Sequence, residues 1–155
     1  MLEEVTSDVS ASMYAAHIAR VLHDTHEEWH MPKQKIASPL WFDAPEDHNY
    51  PAAESYLSLI YPSKRARSLV AKLRAARLTS FKAKDIFRAS QLSLLGVSNS
   101  HVDNDKKKIM AGKQLSPILL IRDAANGRVI IADGYHRLCA VYGFDEDASI
   151  PCKIA

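Results

Sequence analysis

Residues 133–137, Asp133-Gly134-Tyr135-His136-Arg137, put a carboxylate, a glycine, an imidazole and a guanidinium where the apolar run 129–132 hands over to a helix-like stretch. The first four backbone N–H groups of a helix have no partner inside it, and the macrodipole adds partial positive charge there, so an anion is stabilised. Arg137 has the fork geometry to hold phosphate oxygens in pairs, and His136 can donate a hydrogen bond or carry a proton near neutral pH. Gly134 permits both the turn and a close backbone approach to a ligand. Gly134, Tyr135, His136 and Arg137 therefore read as an anion- or phosphate-binding set. Asp133 has two readings. As the helix N-cap it contributes about 1 kcal/mol and no chemistry; as a functional group it would ligate Mg²⁺ or act as a general base, because a bare carboxylate repels phosphate. In a catalytic version Asp133 and His136 are acid/base or metal groups and Arg137 neutralises charge developing during Mg²⁺-dependent phosphoanhydride or phosphodiester cleavage. Anion binding also requires that the mouth just past Ala132 be open and carry surplus positive potential.

The elements that must hold these residues are legible on both sides. Tyr135, Leu138, Cys139 and Tyr142 fall at i, i+3, i+4 and i+7, giving one buried face of a helix over 135–142 that leaves His136 and Arg137 off it; Gly143 stops it. The β-rich runs 117–122 and 128–132 flank Asn126-Gly127, which predicts a hairpin, and SIPCKI predicts a closing strand. HVDNDKKKIMAGK predicts a short helix capped by Asp103 and closed by Gly112, while KDIFRASQL reads as a strand or a strand plus turn. Residues 9–30 read as a helix ending before Pro32, and 31–49, with Pro32, Pro39, Pro45, Trp41 and Phe42, as an ordered but irregular connection. Pro51 and Pro62 then open two helices, to Tyr61 and to about Leu78, the second striped by Leu69, Val70 and Leu73. Together these predict an α+β protein: a helical N-terminal extension over 1–80 and a small mixed sheet with packed helices over 81–155.

Two other constellations compete for attention. His26-Glu27-Glu28-Trp29-His30 matches the His-Glu-x-x-His of zinc peptidases, in which histidines at i and i+4 bind zinc and the glutamate acts as base; Glu54 offers itself as a third ligand. The charged Glu28 inside the match and Pro32 just beyond it do not suit the buried helix such a site needs, so zinc is not expected. The second is basic. Residues 62–88 hold nine bases, among them Lys64, Arg65, Arg67, Lys72, Arg74 and Arg77, against the single acid Asp85, whereas residues 1–61 hold ten acids and three bases. Such a run is a candidate nucleic-acid surface, DNA included, and equally a solvated helix face or a partner for the chain's own acidic segment.

Composition bounds the class. With 155 residues, 47% hydrophobic and 25% charged, the chain has the length and apolar content for an ordinary globular core. No stretch approaches the roughly 20 apolar residues of a membrane span, and MLEEVTSD is not a secretory signal, so a cytoplasmic location without membrane contact is expected. Cys139 and Cys152 are too few and too widely spaced for a disulfide framework or a zinc site, and read as packed, reduced thiols. Nothing in the pattern fixes the oligomeric state.

From Phe81 on, and most clearly over GKQLSPILLI, GRVIIADGYHRLCAVYGF and IPCKI, the chain resembles the ParB/sulfiredoxin-like superfamily. The shared order is a helix ending in Gly, a Pro-Ile strand start, a hairpin, a Gly-x-[His/Arg]-Arg helix start and a strand beginning near Ile-Pro. The resemblance implies a nucleotide bound at the helix start, CTP as in the chromosome-partitioning members or ATP as in sulfiredoxin, with Mg²⁺. It also implies a function among the NTPases, nucleases or kinases of the superfamily, or a non-catalytic regulatory or DNA-associated module on the same scaffold. By motif, Gly134, His136 and Arg137 match the Gly, His and Arg of sulfiredoxin's Gly-Cys-His-Arg. Tyr135 stands where that motif has its catalytic cysteine, so sulfinic-acid reduction is not expected. The first half of the chain does not resemble the helix-turn-helix region that follows the nucleotide domain in the partitioning proteins.

Overall fold

A computed structural model describes residues 38–96 and 98–155. The helix expected over 9–30 and the His26–His30 match lie outside these residues. In chain order the elements are β1 (Leu40–Trp41), α1 (Asn49–Leu57), α2 (Ser63–Ala75), β2 (Thr79–Lys82), α3 (Ala83–Ser90), α4 (Ser100–Met110), β3 (Gln114–Leu115), β4 (Ile118–Asp123), a 3₁₀ turn (Ala124–Asn126), β5 (Arg128–Asp133), α5 (Tyr135–Tyr142) and β6 (Ser149–Ile154). The class is α+β.

The main sheet runs β2-β6-β4-β5; β4 lies parallel to β6 and the other pairings are antiparallel, while β1 and β3 form a separate parallel pair. Strand β4 carries an unbroken apolar run because both its faces are covered. Alternation sends Ile118 and Leu120 to one side, where Ile86 of α3, Val102 and Ile109 of α4 and Leu138 of α5 meet them. Leu119 and Ile121 go to the other side, against Tyr50, Ala53 and Leu57 of α1 and Ala66, Val70 and Leu73 of α2. Helices α1 and α2, within the segment read from sequence as an extension, thus form one covering layer of the sheet that residues 79–154 build. The start of α1 is fastened to the start of β4: Ser116 Oγ donates to Asn49 Oδ1 (2.5 Å) and accepts from the Glu46 N–H (3.0 Å).

Two local expectations change. KDIFRASQL is not a strand but the helix α3, with Ala83, Ile86 and Ser90 turned inward at i, i+3 and i+7 and Gln91 ending it in a left-handed conformation (φ 59°). The strand lies just upstream, in TSFK. Helix α4 is capped by Asn99, whose side chain accepts from the N–H groups of His101 and Val102 (3.0 and 3.3 Å); Asp103 sits in the first turn and pairs with Lys107 instead. The hairpin is present, and its turn is held by Asp123, which accepts from Asn126 Nδ2 and Arg128 Nε; these two donors keep its carboxyl below the usual carboxylate range.

Candidate site at the start of helix α5

Strand β5 ends at Asp133 and α5 begins at Tyr135, with Gly134 between them as N-cap at φ +100° and, among the described residues, no side-chain cap on the first-turn amides. Asp133 is therefore not the cap. It ends one position too early, and its Oδ2 accepts from Arg137 Nη2 at 2.5 Å instead. Nor is the missing side chain of Gly134 an invitation to a ligand. A Cβ there would stand 2.4 Å from Ile118 Cγ2 and 2.9 Å from Arg137 Nη2, so the chain's own packing requires glycine.

Arg137 is correspondingly less free than its sequence position implies. Its side chain is 15% exposed and that of Asp133 19%, and Nε is buried without a hydrogen-bond partner among the described residues. Tyr135 turns its ring edge-on to Phe87 and its hydroxyl donates to the Ser93 carbonyl, so the hydroxyl is already engaged within the chain.

The junction opens into a polar cavity of about 490 Å³, lined by Asp133, His136 and Arg137 and, from α4, by His101, Asp105 and Lys108. A second cavity of about 630 Å³ shares Lys108 and Arg137 and reaches His48, Lys113 and Ser116. The α4 residues went unread in the sequence, although His101, Asp105 and Lys108 stand at i, i+4 and i+7, a polar stripe on one helical face. Lys108 Nζ pairs with Asp105 at 2.9 Å. The imidazoles of His101 and His136 stack with centroids 4.9 Å apart. Burial, then the neighbouring His101, hold His136 below the ordinary histidine range, against the opposing pull of Asp105 and Asp133, so its ring is neutral at neutral pH. With two cations paired to two carboxylates the mouth is open but charge-balanced, not positive in surplus. None of Lys64, Arg65, Arg67, Lys72, Arg74 or Arg77 lines either cavity; α2 packs on the other face of the sheet.

No protein-family model matches the chain, and no curated protein or solved structure is significantly similar to it.

Both cysteines are buried and free. Burial pushes the Cys139 thiol up and that of Cys152 up to about 11, the opposite of what a thiolate nucleophile needs. At about pH 8 a disulfide reagent should label neither thiol of the native chain and both in denaturant. Rapid native labelling of Cys139 would contradict its packing. Among the described residues no helix is long and apolar enough to cross a membrane, and no three His, Cys, Asp or Glu side chains gather as a metal-ligand set.

Proposed function

We propose that the chain binds a nucleotide or related phosphate ligand at the β5–α5 junction, as its Mg²⁺ complex, on a ParB/sulfiredoxin-like scaffold. The observation that carries this is the uncapped start of α5 opening into a polar cavity of about 490 Å³, within the usual size of small-ligand sites. The order of α4 closed by Gly112, β4 following Pro117, the hairpin, the Gly134 helix start and β6 supports the scaffold.

The charge balance bears on the form of the ligand. A bare polyphosphate entering the cavity meets Asp105 and Asp133 as well as Lys108 and Arg137. A Mg²⁺-bound phosphate does not have that conflict, because Mg²⁺ takes one or two protein carboxylates and completes its shell with phosphate oxygens and water. Asp133 is the carboxylate to hold the metal, and when bound the metal would neutralise phosphate charge. The α5 amides, Lys108 and Arg137 hold the phosphate, and the unpartnered Nε of Arg137 gains an acceptor. His136, a neutral imidazole facing the same cavity, is the group to accept a proton if the phosphate bond is hydrolysed.

A thermal-shift panel of ATP, CTP and inorganic phosphate, each with and without Mg²⁺, tests this. A nucleotide at one hundred times its Kd stabilises by about 2.7 kcal/mol, so the melting temperature should rise by several degrees with Mg²⁺ and markedly less in Lys108→Gln. No shift from any of these compounds would remove the proposal. Phosphate release that His136→Gln abolishes would mark an enzyme, and a shift without release a binding module.

A further inference from the structure

Helix α2 carries five bases and no acid in its 13 residues, SKRARSLVAKLRA. Lys64, Arg65 and Arg67 crowd its first turns, at the positive end of the macrodipole, where cations oppose helix formation. Among the described residues the only acid within ion-pair distance of the helix is Asp47, 3.7 Å from Arg74, with both side chains largely in water. Neither helix stability nor pairing within the described residues accounts for this charge, and a local rule broken without compensation marks a functional surface.

The bases are also arranged. Ala66, Val70 and Leu73 face the sheet, so the opposite crest is Lys64, Ser68, Ala71 and Ala75, all exposed and, after the first, all small. Arg65 and Lys72 flank this crest on one side and Arg67 and Arg74 on the other. The Arg65 guanidinium lies over the Tyr61 ring (4.4 Å) and that of Arg74 over Tyr50 (4.1 Å), which fixes one base on each flank. Lys153 Nζ donates to the Arg74 carbonyl (2.8 Å) and extends the second row.

We propose that α2 docks in the major groove of duplex DNA, its two rows of cations facing the two phosphate strands. That groove is roughly 12 Å wide and admits a helix, and a crest of serine and alanine lets the helix axis come close. The crest offers no Asn or Gln, its one long polar side chain, Lys64, stands in the first turn at the helix end where a phosphate is within reach, and the two tyrosines beside it are already covered by arginines, so the contact is with duplex phosphates and tolerates sequence. This surface is separate from the cavity at α5 and stands or falls independently of it.

The test is fluorescence anisotropy of the full chain on a labelled duplex of about 20 base pairs between 50 and 200 mM salt. Five phosphate contacts give a log–log slope of about −4.5. The triple variant Lys64→Gln/Arg67→Gln/Lys72→Gln, all three exposed, should keep the parent melting temperature, bring the slope to about −2 and weaken binding at 50 mM salt by roughly a thousandfold, on the order of one decade per lost contact. Lys108→Gln should bind DNA like the parent. Absence of binding at 50 mM salt, a triple variant that binds as well as the parent, or tighter binding to single-stranded DNA, duplex RNA or phosphatidylserine vesicles would each overturn the proposal.

Discussion

Gly134→Ala should destabilise this protein more than any other single methyl addition at a glycine of the described residues, by about 2–5 kcal/mol. Two costs add. An L-residue at φ +100° pays for a left-handed backbone, about 1–2 kcal/mol, and a methyl forced into a filled interior adds roughly 1–3 kcal/mol. The neighbour it strikes cannot retreat: Ile118 is fully buried at the first position of the central strand β4, between two sheet partners. Gly127→Ala is the control, since it too has a positive φ (+61°) but nothing lies within 4 Å of the added carbon, so only the backbone cost of about 1 kcal/mol remains. Urea denaturation of both variants separates the costs, and Ile118→Ala combined with Gly134→Ala should destabilise by at least 1 kcal/mol less than the sum of the singles. If the Gly134 variant is no less stable than the Gly127 variant, the glycine is not demanded by packing, and a ligand's close approach becomes its reason again.

That result also explains how far the sequence could be read. The hairpin, α5 and β6 announce themselves through local signals: an Asn-Gly pair between β-branched runs, and a Gly followed by apolar residues at i, i+3 and i+4. Helix α3 did not, although Ala83, Ile86, Phe87 and Ser90 recur at i, i+3, i+4 and i+7, because it is only eight residues long and follows a four-residue strand without a break, which blurs the boundary between the two. Half of the site was legible for the same reason. Residues 133–137 are contiguous, whereas His101, Asp105 and Lys108 reach the cavity only because α4 packs beside α5 across the first core cluster. The role of Asp133 turned on something the letters do not show. Capping or pairing with Arg137 at i+4 were both open to it, and the choice was made by the left-handed backbone at Gly134, which moves the cap one residue on.

The Asp133–Arg137 pair yields the sharper experiment, because its two roles push in different directions. Each side chain is about four-fifths covered, so Asp133→Asn or Arg137→Gln leaves a largely desolvated charge without its partner. Removing one member of a fully buried pair costs 3–5 kcal/mol, and the residual exposure here brings that to about 2–3 kcal/mol. The double variant should recover about 1–2 kcal/mol of the summed loss, measured by urea denaturation of all four proteins. Ligand binding should not follow stability. In Asp133→Asn the guanidinium is released and a repelling carboxylate is gone, so ATP without Mg²⁺ should bind roughly tenfold more tightly than to the parent, a gain of about 1.4 kcal/mol. The same variant has lost its metal ligand, so the advantage conferred by Mg²⁺ should shrink or invert. Arg137→Gln should weaken both forms by tenfold or more, since the only guanidinium that lines the cavity among the described residues is removed. Should Asp133→Asn and Arg137→Gln lower ATP affinity equally, with and without Mg²⁺, the pair is a structural clamp for the β5–α5 turn and the phosphate is held elsewhere.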